Sequence, residues 1–105
     1  MNSELENCFA ELTKFNLDAK VFDWICKNMG KGNEITISQV LVAKEFGTSR
    51  QSIARVILKL ELLRFVVKIG KIQHNYIYLV NPNKVWRGDG KLQAACCEKF
   101  AKALQ

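Results

Sequence analysis

The sequence predicts a single α+β domain spanning residues 1–105, mainly helical with one small β-hairpin. Three observations carry that prediction. Apolar residues recur at helical spacing in several stretches, the last of them residues 91–104. Two short β-branched and aromatic runs, Phe65–Ile69 and Tyr76–Val80, lie close together with turn residues between them. The 105 residues are 49% hydrophobic and 25% charged, which suits one compact core and argues against disorder.

Each element has its own warrant. Over residues 4–15, Leu5, Cys8, Phe9 and Leu12 fall on one helical face. Asn16, Leu17 and Asp18 offer cap residues for a second helix, lined by Val21, Phe22, Ile25 and Met29 and ended by the Gly30-Lys31-Gly32-Asn33 loop. Glu34–Ile37 reads as a short strand. Ser38 is the N-cap of a third helix, with Ile37 and Val42 at hydrophobic-staple positions. That helix is expected to bury Val40 or Leu41, Ala43 and Phe46, and to stop at Gly47. Ser49 caps a fourth helix whose inward face is Ile53, Val56, Ile57 and Leu60.

The hairpin follows. Its turn is tight at Gly70-Lys71 or looser, reaching Asn75. Of the alternating pairs in the second strand, Tyr76 and Tyr78 are expected to be partly exposed. Asn81-Pro82 closes that strand, since proline cannot extend the ladder. Residues 85–90 form a turn-rich connector, and a last helix places Leu92, Ala95 or Cys96, Phe100 and Leu104 on one face.

Charge is unevenly distributed along the chain. The total is +6, but residues 1–47 carry five Lys against seven acidic residues, whereas residues 48–76 carry six Lys or Arg against Glu61 alone. Localised positive charge of this kind attracts phosphate backbones. The four Cys (Cys8, Cys26, Cys96, Cys97) follow a polar, acidic N-terminus and show no C-x-x-C pair. Free thiols in a reducing cytoplasm are expected, with neither metal nor cofactor. The longest apolar run, Tyr76–Val80, is far too short to span a bilayer.

The basic segment begins where a helix-turn-helix pattern is most complete. Two helices that cross closely need a small residue at the crossing, and Ala43 supplies it. The turn needs a residue that tolerates a left-handed backbone, and Gly47 stands four residues on. Ile53 and Val56 follow Gly47 by six and nine, where the second helix packs on the first. With that face buried, Thr48, Ser49, Arg50, Gln51, Ser52 and Arg55 point outward at the start of the helix that such motifs lay in the major groove. Arg50 and Arg55 have the geometry to read guanine, and Gln51 to read adenine. Thr48 and Ser49 suit phosphates, and Lys59 lies further along, toward backbone or solvent. The hairpin then makes a wing, with Lys68, Lys71 and His74 placed for phosphates or a neighbouring minor groove.

The order of elements, the run Phe46–Ile53, and the tail Tyr78-Leu79-Val80-Asn81-Pro82 followed by Val85-Trp86-Arg87-Gly88 resemble plasmid replication proteins of the RepL type. More loosely, they resemble the winged helix-turn-helix regulators of bacteria. The resemblance runs from about Asp18 to Gly88, and the tail is its more specific part. It implies a cytoplasmic bacterial protein that binds DNA in plasmid replication, maintenance or copy-number control. By position, it makes Ser49, Arg50, Gln51, Ser52 and Arg55 the recognition residues.

The leading expectation is therefore a winged helix-turn-helix that binds double-stranded DNA as a homodimer, in plasmid replication or its transcriptional control. The flanking helices 4–15 and 91–104 are the candidates for the dimer interface, unless they simply pack on their own domain. The alternative is a winged-helix protein–protein adaptor, which predicts an uncharged or acidic recognition face. An enzyme is not expected: there is one His, no nucleophile motif, no phosphate-cradling glycine loop and no carboxylate cluster. No membrane partner or small-molecule ligand is evident.

Overall fold

A computed structural model describes residues 16–105; the helix expected over 4–15, with Cys8, lies outside them. The elements are α1 (Asn16–Asn28), a 3-10 turn (Lys31–Asn33), β1 (Glu34–Ile37), α2 (Gln39–Phe46), α3 (Arg50–Leu62), β2 (Val66–Ile72), β3 (Asn75–Val80) and α4 (Gly90–Ala103). Four helices and one antiparallel sheet of order β1-β3-β2 make an α+β fold of the winged-helix kind.

Local chemistry sets most of the boundaries. The Ser38 hydroxyl accepts from the Leu41 N–H at the start of α2, and Ile37 and Val42, the staple pair, are both buried. This cap rotates α2 so that Val42 and Ala43 face inward. Val40 and Leu41, one of which was expected in the core, are exposed at 49% and 65%. At the other end Gly47 takes φ 62, and the Thr48 N–H reaches back to the Ala43 carbonyl at 2.9 Å. α3 buries Ile53, Val56, Ile57 and Leu60, as its spacing predicts. It ends in the same kind of motif with Arg64, at φ 63, in the left-handed position usually given to glycine. Asp18 lies within α1 rather than capping it: its buried carboxylate sits 3.0 Å from Lys59 Nζ, at ion-pair distance but off the hydrogen-bonding direction.

The hairpin turn is at Gln73-His74, further along than Gly70-Lys71. Gln73 has φ 55, and a positive φ in a two-residue loop matches strand twist. The register slips between Lys68 and Gly70, where Ile69 forms a bulge. Without the bulge Lys68 and Lys71 would stand on opposite faces of β2. With it both ammonium groups lie over the Tyr76 ring, 4.3 and 5.3 Å from its centroid.

Tyr78, expected to be partly exposed, is 1% exposed. β3 is the central strand, and Tyr78 pairs across the ladder with Ile35 on the face that meets the helices. Phe22, Ile25, Ile53, Leu60 and Phe65 form that core, with Phe22 and Phe65 rings 5.0 Å apart. Leu79, on the opposite face, is buried as well. α4 packs against β2 and the 3-10 turn, and its Lys99 bonds Glu34, the ladder partner of Leu79. A strand covered on both sides buries both parities, so no choice between tyrosines and aliphatics was required of it. Only Phe100 of the expected α4 face is buried; Leu92 and Leu104 remain exposed.

Candidate nucleic-acid interface

The recognition segment is built by its caps. The Ser49 hydroxyl accepts from the Ser52 N–H at 3.1 Å and donates to the Ser52 hydroxyl at 3.0 Å. Both serines are thus engaged in starting α3. Arg50, Gln51 and Arg55 are exposed on the turns that follow, and Thr48 is half-buried in front of them. The outer stripe of α3 runs Gln51, Arg55, Leu58, Leu62. It begins polar and ends apolar, with Leu58 and Leu62 at 56% and 74% exposure.

The wing places its cations beside this stripe. His74 is exposed at the hairpin tip, and Lys68 and Lys71 are held over Tyr76. Lys68 also stands 3.9 Å from Glu61 on α3, which leaves it only loosely paired. A cleft of about 230 Å³ joins the two parts. Arg50 from the start of α3 and His74, Asn75 and Tyr76 from the wing tip form its rim, with Gln39 from the start of α2. Ile37, Val40 and Tyr78 are its apolar wall. Burial, with Glu61 and then Tyr76 adding to it, raises the Tyr78 phenol above its usual range, so the hydroxyl stays protonated.

The fold thus brings together Arg50 and His74 across the cleft, with Lys68 and Lys71 behind the ring that lines it. It does not bring Lys59 there: its ammonium turns back to Asp18 on α1. Gln39, Val40, Asn75 and Tyr76 line the cleft beside these residues, although the recognition pattern did not single them out. They come from segments some 35 residues apart in sequence, and only the packing of the wing beside α2 assembles them. The one signal in the sequence was Val40 itself, an apolar residue that the cap of α2 leaves without a core.

Two buried asparagines hold this arrangement from behind. Asn33 is 0% exposed and has φ 63; its amide donates to the carbonyls of Val80 (3.1 Å) and Val85 (2.7 Å), and its oxygen accepts from the Arg87 N–H (2.8 Å). The Arg87 guanidinium bonds the Met29 carbonyl, and its own carbonyl accepts from Gly32. Asn81 donates to the Arg64 carbonyl at 2.9 Å and receives the Asn83 N–H. Gly88 has φ 139, and a Cβ there would meet the Trp86 ring at 3.1 Å. The Asn-Pro and Trp-Arg-Gly tail is therefore a clasp that ties the sheet to the end of α1.

A helix-turn-helix with an exposed basic second helix, backed by a basic wing, defines a winged helix-turn-helix protein. Among the described residues no helix is long and apolar enough to cross a membrane, and no cluster of His, Cys, Asp and Glu could hold a metal ion. The family of Firmicute plasmid replication proteins (RepL) matches residues 14–105, and the chain belongs to it: this is a plasmid replication protein. No curated protein and no solved structure matches it.

Proposed function

We propose that this protein serves plasmid replication in the bacterial cytoplasm by binding double-stranded DNA sequence-specifically through α3 and the wing. The observation that carries the reading is the pairing of exposed Arg50 and Arg55 on α3 with exposed Lys68 and Lys71 on the wing, Arg50 and His74 lining one cleft. Arg50, Gln51 and Arg55 read base edges, each good bidentate pair discriminating by about 1–3 kcal/mol. Lys68, Lys71 and His74 hold the backbone. No reaction is catalysed; the work is binding. The protein acts as a homodimer on two-fold sites, with Leu92 and Leu104 of α4 supplying apolar surface for the second copy. The adaptor reading predicts a neutral or acidic α3, and the exposed Arg50 and Arg55 oppose it.

The test is a duplex titration over several salt concentrations. Log affinity falls linearly with log salt for a phosphate-binding protein. Arg50→Ala reduces preference between sequences by about 1–3 kcal/mol, while Lys71→Ala weakens all sequences alike and lowers the salt slope by about one. A flat salt response sinks the reading, and identical behaviour of the two variants sinks the division between reader and clamp.

A further inference from the structure

We propose that the cleft between the helix-turn-helix and the wing tip receives an unpaired nucleotide, so that the protein prefers locally opened DNA to fully paired duplex. The inference rests on the DNA-binding reading and adds a second mode to it.

The shape and lining of the cleft point to this ligand. At about 230 Å³ it has room for several water molecules, far more than a lone phosphate group displaces. Its exposed apolar surface comes from Val40, 49% exposed, over the buried side chains of Ile37 and Tyr78. Gln39 and Asn75 also line it, two carboxamides each with an acceptor and two donors, the pattern that pairs with the edge of a base. Arg50 and His74 close the rim with groups that bind a phosphate. An apolar surface for a ring, amides for its edge, and the Arg50 guanidinium with the His74 imidazole for its phosphate together fit a nucleotide.

A base inside a duplex cannot enter such a concavity; it must first leave the stack. Unstacking and unpairing cost a few kcal/mol, and least where the base is already unpaired. Gln39 and Val40 lie on α2, off the outer stripe of α3 that duplex reading uses. Two binding modes on neighbouring surfaces would let a replication protein hold its site while favouring an opened strand within it.

The experiment compares a fully paired duplex with the same duplex carrying one extrahelical thymidine, and titrates thymidine monophosphate alone against the tyrosine ring resonances. The wild-type protein binds the bulged duplex about tenfold more tightly, the equivalent of 1.4 kcal/mol. Val40→Gln and Gln39→Ala carry no change of charge. Val40 is exposed, so its replacement leaves the core intact. Both variants lose the preference and keep the wild-type affinity for paired duplex. Equal binding of the two duplexes overturns the proposal, even if the free mononucleotide shifts Tyr76 and Tyr78. So does a preference that survives in both variants, since it then comes from the flexibility of bulged DNA. Failure of the wild-type protein to bind either duplex instead removes the DNA-binding reading itself, and the proposal with it; variants that lose both duplexes alike overturn the proposal alone.

Discussion

Replacing Asn33 tests the clasp behind the site. Its side chain makes three hydrogen bonds from a fully buried position: to the carbonyls of Val80 and Val85, and from the N–H of Arg87. In Asn33→Ala each bond costs about 1–1.5 kcal/mol, because the amide is fully buried and its two carbonyl partners belong to the buried residues Val80 and Val85. The residue also sits at φ 63, a conformation that Asn tolerates and that costs Ala about 1 kcal/mol more. The loss is therefore about 4–5 kcal/mol, a large part of the roughly 5–15 kcal/mol that holds a domain folded. At 4–8 °C per kcal/mol for a domain near this size, the melting temperature falls by about 20 °C or more. Asn33→Gly loses the same bonds without the backbone strain, so it is about 1 kcal/mol more stable than the Ala variant. Urea unfolding followed by circular dichroism measures all three proteins. Two variants within about 1 kcal/mol of wild type, or a Gly variant less stable than the Ala one, would refute the argument.

Other substitutions test separate links. Gly47→Ala meets open space but must hold φ 62, so it destabilises by about 1 kcal/mol in the same unfolding assay. Arg64→Gly relieves the same strain at the end of α3 and is expected to be neutral or stabilising by up to about 1 kcal/mol; a loss would mean that the Arg64 side chain matters to the fold. Lys59→Met leaves the Asp18 carboxylate buried without its cation and destabilises by about 1–3 kcal/mol. Its affinity for duplex stays within about twofold of wild type, because the ammonium faces α1; a drop like that of Lys71→Ala, measured by fluorescence anisotropy, would return Lys59 to the DNA surface.

Much of the architecture is written in short-range chemistry. Ser38, Gly47 and Ser49 bound α2 and α3 through contacts three to five residues long. The inward face of α3 follows from apolar spacing over ten residues or so. These signals need no partner segment, which is why the helix-turn-helix and its outward residues Arg50, Gln51 and Arg55 are legible in the chain itself. The concentration of positive charge after residue 47 is likewise a property of the sequence.

Tertiary structure decided everything that depends on distant segments meeting. The covering of β3 on both faces buried Tyr78 and Leu79 together, which alternation along one strand cannot express. The bulge at Ile69 put Lys68 and Lys71 on one ring. The pairing of Lys59 with Asp18 turned a basic side chain of α3 toward α1. The tail that carries the family resemblance proved to be a clasp only when Asn33, some fifty residues earlier, was found holding it. The cleft, too, exists only because the wing tip packs beside the starts of α2 and α3. Caps and periodicity act over one or two turns of chain, whereas burial, register and buried amides are settled by the surfaces that a folded chain brings together.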